Sequence, residues 1–360
     1  MINALAKWLK SLLRINTLPD CIGVDLSTSA VKLVELKPNS FTVMQYIMQD
    51  IESFSGDTLD NLTKTSNMLR KYWLNVGFQY KATAMTLPYS SIITKTISAP
   101  IFTNKIDLDS YVQKQVANLF EVDINSVDFD YYIIKMDNSG KNQMILVVVV
   151  KREKVEELEA LMELAGLSIG AIYVECYILY NFTCALLSYN NISISKQSCL
   201  LMDIGTNKIK VILIHDGQLV YINNVMTKYN EYLLKLLSED NKTENKNYNN
   251  VQEYIEMHVV KVEKFVALVD IVVNDVLKHI QLAKSQILIE HKINIQRLAT
   301  ICITGGGVCI PGLVDKLNNT FKLKVIEIST LLQLHNPQMT KNELSRLTTA
   351  IALARDIYND

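Results

Sequence analysis

The sequence predicts an α/β fold built from two similar halves, and three observations carry that prediction. A β-hairpin pattern, Ile22-Gly23-Val24-Asp25-Leu26-Ser27-Thr28-Ser29-Ala30-Val31-Lys32-Leu33-Val34-Glu35-Leu36, recurs without a gap from Met202 to Ile214. Asp25 matches Asp203, Thr28 matches Thr206 and Lys32 matches Lys210, each pair 178 residues apart, about half the chain. Runs of β-branched residues alternate with segments of helical periodicity. The length of 360 residues, 49% of them apolar, suffices for about two domains with buried cores.

Composition excludes several classes. A net charge of −1 gives no global field for nucleic acid. The longest uninterrupted apolar run, Met144 to Val150, is too short to cross a bilayer, and no segment reads as a cleaved signal peptide. The six cysteines are scattered without a C-x-x-C pair and read as reduced core thiols of a cytosolic protein. The five histidines are dispersed and form no H-E-x-x-H, so a His/Cys metal site is not expected.

Along the chain, residues 1–18 place Leu5, Trp8, Leu9, Leu12 and Ile15 at helical spacing among Lys7, Lys10 and Arg14, with no acidic residue. The pattern suits a basic amphipathic helix that touches a membrane surface or a partner. A helix packed on its own domain satisfies it as well. The first hairpin turns through Asp25–Ser29, whose small hydroxyl residues would let backbone N–H groups converge on an anion. A strand over Phe41–Ile47 follows, then a helix through Leu59, Leu62, Leu69, Tyr72 and Trp73 that ends before Gly77, then a strand over Ala82–Leu87.

The next block carries strands at Ile92–Ile97, Phe129–Lys135 and Met144–Val150 and helices at Asp107–Phe120 and Glu153–Ala165, with Gly166 as C-cap. It reads as an inserted subdomain. The second hairpin stretch, Leu200–Val220, turns at His215-Asp216-Gly217. Ser238–Asn250 is Asn/Lys-rich and expected to be a loop, and Val251–Gln286 to be two helices. A short buried strand at Thr300–Ile303 leads into Thr304-Gly305-Gly306-Gly307, and Pro311 is expected to open a helix with Leu313, Val314, Leu317 and Phe321 inward. Three glycines let a backbone approach a flat ligand. An ordinary tight turn uses the same residues, so the triplet gains weight only from its order after two hairpins.

These three elements, in this order, resemble the phosphate and adenosine motifs of the actin-like (ribonuclease H-like) ATPase superfamily. The stretches IGVDLSTSAVKLVEL, VANLFEVDINSVDFDYYII, AGLSIGAIYVECYILYNF, ITGGGVCIPGLVDKL and LTTAIALARD resemble the PilM family of type IV pilus assembly proteins, a relative of FtsA, from about residue 20 to the end. The resemblance implies a two-lobed fold with an FtsA-type insert. Its parts would be an N-terminal segment 1–19, a first domain of 20–88, 167–196 and 340–360, an insert of 89–166, and a second domain of 197–339. It implies that ATP is held between the lobes by Asp25, Ser27, Thr28, Ser29, Lys32, Asp203, Gly205, Thr206, Asn207, Gly305, Gly306 and Gly307, with Mg²⁺ on Asp25 and Asp203 through water. For Lys32 the reading as a solvated strand lysine stands beside the phosphate one. Glu175, where relatives place a water-activating residue, is a weak catalytic candidate and reads first as structural.

The implied partners are the cytoplasmic N-terminal tail of a single-pass inner-membrane protein, PilN-like, and pilus motor components, at the inner face of the inner membrane. Tyr89, Tyr111, Tyr131 and Tyr132 are candidates to line the tail's groove; the alternative is that they fill the insert's core. Two departures weigh against hydrolysis. Asn223-Asn224 stands where the family carries a Gly-Gly pair, and Asn207-Lys208 replaces small residues in the second phosphate turn. No catalytic triad and no G-x-x-x-x-G-K-[ST] loop is present. The expectation is a nucleotide-binding assembly platform with weak or no turnover. The other readings are an active ATPase or kinase of the same fold, or an FtsA-like or type II secretion component.

Overall fold

The structure is a computed structural model that describes residues 21–355 apart from 28–29, 51–58, 81, 88–90, 137–141, 196, 227–228, 244–253, 256–261, 292–297, 324 and 335–338. The segment 1–18 and Tyr89 therefore lie outside the described residues. The chain divides into two compact units: Met1–Ser40, Met44–Ile178 and Ala350–Asp360 form the first, and Phe41–Val43 and Leu179–Thr349 the second.

The first unit begins with β1 (Ile22–Leu26), β2 (Ala30–Leu36) and β3 (Thr42–Asp50), followed by α1 (Leu59–Val76) and β4 (Ala82–Leu87). After an excursion the chain returns as β8 (Ser168–Val174), giving the strand order β3-β2-β1-β4-β8. β1 pairs antiparallel with β2 and parallel with β4, and β4 pairs parallel with β8. Nearly every residue of β1 and β2 is buried, as strands covered on both faces require. Gly23 is required by a close backbone approach. A Cβ there would collide with the Ala350 carbonyl and the Ala354 amide, so β1 lies directly on the backbone of the closing helix.

The excursion contains β5 (Ile92–Pro100), α2 (Lys105–Phe120), β6 (Val127–Met136), β7 (Asn142–Lys151) and α3 (Arg152–Ala165). Its three strands form an antiparallel sheet in the order β5-β7-β6. Leu108, Val112 and Val116 of α2 pack on Ile145, Val147 and Val149 of β7. α3 joins two cores: Leu161, Met162 and Ala165 pack with Ile22, Val24, Leu69 and Trp73 of the first sheet, and Val155 with Ile92, Val148 and Val150 of the three-stranded sheet. The Trp73 indole N–H donates to the Ala165 carbonyl at 2.8 Å, and Gly166 caps α3 with φ 78°.

The second unit holds α4 (Glu175–Tyr189) for most of its length, then β9 (Ser198–Ile204), β10 (Lys208–His215) and β11 (Gln218–Met226). α5 (Tyr229–Thr243), α6 (Val266–His291), β12 (Thr300–Thr304), α7 (Leu313–Phe321) and β13 (Val325–Glu327) follow. A two-residue strand, β14 (Gln333–Leu334), pairs with Thr42 and Val43, and α8 (Lys341–Arg355) closes the chain. The strand order β11-β10-β9-β12-β13 repeats that of the first sheet, and β10–β9, β9–β12 and β12–β13 run in the same relative directions as β2–β1, β1–β4 and β4–β8. The duplication read from one hairpin thus extends to a whole five-stranded sheet. Where the second unit places α7 between β12 and β13, the first places α3 between β4 and β8. The material added to the first unit is therefore β5, α2, β6 and β7.

Three local expectations are corrected. Ser238–Thr243 is helical, the end of α5, because Tyr232, Leu233, Leu236 and Leu237 hold that helix on the second core. Within Val251–Gln286, Tyr254 and Ile255 are helical, and α6 starts at Val266 and runs past the expected end at Gln286, to His291. Pro311 does not open α7, because Gly312 at φ 83° stands between it and the first helical residue, Leu313.

Candidate functional site

Both candidate phosphate hairpins are closed in the same way. Asp25 lies in β1 rather than in the turn, and its Cα partner across the ladder is Lys32 of β2. The Lys32 ammonium donates to Asp25 Oδ2 at 2.8 Å. The turn runs from Ser27 to Ala30: the Ser27 N–H donates to the Ala30 carbonyl at 3.0 Å. The Ser27 hydroxyl donates to the same carbonyl at 2.9 Å and accepts from the Ala30 N–H at 3.1 Å. Ser27, expected to offer donors to a phosphate, spends both groups on the turn itself. In the second unit Asp203 of β9 faces Lys210 of β10, the ammonium donates to Asp203 Oδ2, and the Gly205 N–H donates to the Lys208 carbonyl at 3.0 Å. Thr28, Ser29, Thr206 and Asn207, the central turn residues, lie outside the described residues.

The second unit shows how this pair is held. Asn224, Lys210, Asp203 and Thr304 are Cα partners in a row across β11, β10, β9 and β12. Asp203 and Lys210 are each only 5% exposed. The Thr304 hydroxyl donates to Thr348 Oγ1 at 2.6 Å, and the Gly305 N–H to the Ser345 carbonyl at 3.1 Å, which ties the row to α8. Asn224 Oδ1 is enclosed and finds no hydrogen-bond partner. Its neighbour Asn223 reaches His279 Nδ1 at 3.4 Å.

The glycine triplet takes its meaning from this row. Gly305 has φ 88° and ψ 170°, a conformation open essentially to glycine alone. A Cβ on Gly305 would collide with Asp203 Oδ1 and with the Ile204 carbonyl, and one on Gly307 with the Ile204 side chain. The close approach these two glycines allow is thus onto the protein's own strand β9. Gly306 differs: a Cβ there would meet only Arg346, at 3.6 Å. Of the three, Gly306 alone keeps a face available to a ligand.

Mg²⁺ prefers oxygen ligands in near-octahedral order and keeps several of its waters. Asp25 and Asp203 are each 5% exposed, and each gives Oδ2 to a lysine. Oδ1 of Asp203 is packed against Gly305. A monovalent cation already sits on each carboxylate and would repel a second cation beside it. The expected Mg²⁺ ligands do not fit the ion in this arrangement.

Glu175 is the first residue of α4, where a carboxylate complements the helix dipole. Of the tyrosines named for partner binding, Tyr131 is core: it is 4% exposed and its hydroxyl donates to Asp109. Tyr111 is half-buried, stacks obliquely on Phe102 at 5.3 Å and donates to the Ser98 carbonyl at 3.3 Å. Tyr132 is 55% exposed, with Ile133 beside it. Sequence reasoning misses Asp130, which is fully enclosed, with Oδ1 on the Tyr131 N–H at 2.7 Å and Oδ2 without a partner. Burial pushes its carboxyl up to about 8. It also leaves Lys210 and Asn224 out of the candidate site, although the spacing from Asp203 to Lys210 repeats that from Asp25 to Lys32.

Among the described residues no helix is long and apolar enough to cross a membrane, and no group of three or more His, Cys, Asp or Glu side chains could hold a metal. A family model for the type IV pilus assembly protein PilM matches residues 23–357. Among solved structures, the chain is similar to one in the PilM–PilN type IV pilus biogenesis complex, at 15% identity and TM-score 0.70, over 94% of this chain and 99% of that one. It is also similar to the ethanolamine utilization protein EutJ from Carboxydothermus hydrogenoformans, at 14% identity and TM-score 0.53, over 98% and 96%. A third likeness is to Ta0583, an archaeal actin homolog, at 11% identity and TM-score 0.48, over 93% and 98%. The repeated five-stranded sheets and the added three-stranded one are those of the actin-like ATPase fold with its insert.

Proposed function

The chain belongs to the type IV pilus assembly protein PilM family, and from that premise we propose that it is a nucleotide-binding platform of pilus biogenesis with weak or no hydrolysis. It takes ATP through the residues around the Asp25 and Asp203 hairpins and the glycine turn. It recruits the cytoplasmic N-terminal tail of an inner-membrane protein, as PilN is the partner in the similar solved complex. This places it in the cytoplasm at the inner face of the membrane, where pilus motor components are within reach.

The observation that carries the nucleotide reading is the repetition of one Asp–Lys pairing at the same register in two equivalent sheets. Chain economy alone gives no reason to keep a buried ion pair twice, since such pairs contribute little net stability. Weak turnover is supported by Asn224 and Lys210, which fill the strand positions behind the second hairpin with side chains. Phosphoryl transfer needs metal, positioned charge and an oriented water, and nothing in the row Asn224-Lys210-Asp203-Thr304 supplies a base near an open carboxylate.

The test uses the full chain. Titration with a fluorescent ATP analogue should saturate, unlabelled ATP should displace it, and phosphate release should stay well below the ~1 s⁻¹ low end of ordinary turnover. A folded chain that binds no nucleotide, or one that releases phosphate at enzyme rates, would refute the corresponding half of the proposal.

A further inference from the structure

We infer that Lys210, held by Asp203, stands in for a carboxylate-bound metal in the second unit, so that nucleotide phosphates are met there by an ammonium and binding does not require Mg²⁺. The inference rests on the nucleotide reading above and narrows it.

Three observations converge on Lys210. First, the carboxylate a metal would use is occupied: Lys210 donates to Asp203 Oδ2, and Asp203 Oδ1 is packed against Gly305, whose glycine-only backbone leaves no slack. Second, the ammonium cannot swing out into bulk water to vacate the carboxylate at little cost. Its side chain is 6% exposed, on a strand whose neighbours Ile209, Val211 and Ile212 are fully buried. A buried lysine charge persists only with a partner, and Asp203 is that partner. Third, Asn224 stands opposite Lys210 on β11 with an enclosed Oδ1 that has no partner. An ammonium has three donors. When a phosphate draws Lys210 off Asp203, Asn224 offers it a second acceptor, and the orphaned oxygen is satisfied by the same movement.

Asp203 is then a positioning residue and not a metal ligand, and the two roles predict opposite signs. If Asp203 anchored Mg²⁺, replacing it by Asn would remove binding. If it only holds Lys210 in place, the same replacement deletes a negative charge next to the phosphates, and a bound phosphate takes over as the partner that keeps the ammonium charged. Lys is a known point-charge binder of phosphate, and a lysine-centred site works in a chelator.

The experiment measures ADP and ATP affinity of the full chain in Mg²⁺ buffer and in EDTA, for wild type, Lys210→Gln and Asp203→Asn, with circular dichroism to confirm folding. The wild type should differ by less than about twofold between the two buffers, and Lys210→Gln should weaken binding by about tenfold or more in both, where tenfold is about 1.4 kcal/mol. Asp203→Asn should bind at least as tightly as wild type in EDTA. A wild type that loses about tenfold or more in EDTA overturns the inference, as does a folded Asp203→Asn that no longer binds. The wild-type comparison needs no variant to fold. A second measurement separates this inference from the nucleotide reading: Mn²⁺ titration of the nucleotide-free chain, followed by water-proton relaxation. Wild-type Mn²⁺ binding that Asp203→Asn abolishes overturns the inference whether or not nucleotide binds. No Mn²⁺ binding in wild type, with binding gained in Lys210→Gln, supports it even if the chain takes no nucleotide, in which case the nucleotide reading alone fails.

Discussion

Lys210 reaches Asp203 across β10 and β9 at the register at which Lys32 reaches Asp25 across β2 and β1. Stability should respond to the two pairs differently. Lys210→Met leaves an enclosed carboxylate without its cation, and breaking a buried pair from one side costs about 3–5 kcal/mol. The double change Lys210→Met with Asp203→Asn should recover much of that loss. Lys32→Met should cost less, because the two carboxylates are equally enclosed but the Lys32 side chain is 13% exposed against 6% for Lys210, so its removal opens the shorter path for water. Thermal melts of wild type and these three variants check the order; equal losses for Lys210→Met and Lys32→Met would mean that burial does not set the cost.

Gly305 and Asp203 are locked together by geometry. Gly305→Ala must place a Cβ into Asp203 Oδ1 and the Ile204 carbonyl from a backbone at φ 88°. The backbone strain alone is worth about 1–3 kcal/mol, and the collision adds to it. Gly306→Ala, with only Arg346 at 3.6 Å, should be tolerated. Melting temperatures of the two variants should therefore diverge, and nucleotide affinity should respond to Gly306→Ala if that glycine faces the ligand.

Much of the fold was legible because it is written locally. The matched runs around Asp25 and Asp203 placed both hairpins, and Gly77, Gly166 and Gly217 fell at positive φ where the pattern ended elements. The site was less legible, for physical reasons. A sequence shows that Asp203 and Lys210 flank one hairpin turn, but not that the ammonium sits on the carboxylate. Nor does it show that Gly305 and Gly307 are spent on contact with Asp203 and Ile204 instead of a ligand. How α3 divides between cores was not legible either: Leu161 and Met162 pack with Leu69 and Trp73, while Val155 packs with Ile92 and Val148. Likewise Tyr131 and Tyr132 are adjacent and identical in type, yet strand alternation buries one and exposes the other.

Asp130 should give the chain a distinctive pH dependence. Burial raises its carboxyl from 3.8 to about 8, and Asp109 pushes the same way, while the Tyr131 N–H and Lys105 act against them. The folded state thus keeps a proton that the unfolded chain releases near pH ~4. The stability tied to this proton is fully present below about pH 4 and is lost as pH rises through about 8. Asp130→Asn supplies a neutral side chain at every pH. Its melting temperature should match wild type near pH ~4 and exceed it above pH ~8, the gap opening between those values. A gap that stays constant from acid to alkaline pH would show that Asp130 does not titrate in the folded chain.

Tyr132 is the residue on which the partner reading can be tried most directly. It lies on β6, an edge of the three-stranded sheet, 55% exposed, with Ile133 at 41% beside it. An edge strand offers unpaired backbone groups to an added peptide, and an exposed aromatic next to it supplies an anchor. Tyr131, one residue earlier, faces Val112 and Val116 of α2 and serves the core. The two substitutions therefore separate recognition from folding. Tyr132→Ala should leave the melting temperature nearly unchanged and weaken capture of the membrane protein's tail peptide by more than about 1 kcal/mol, the mark of an interface residue that matters. Tyr131→Ala should instead destabilise the insert by about 3–5 kcal/mol, as truncating a buried aromatic does, and lose the peptide only as a consequence. Fluorescence anisotropy with a labelled tail peptide, alongside thermal melts, reads both. If folded Tyr132→Ala binds the peptide as wild type does, the exposed end of β6 is not where the tail docks.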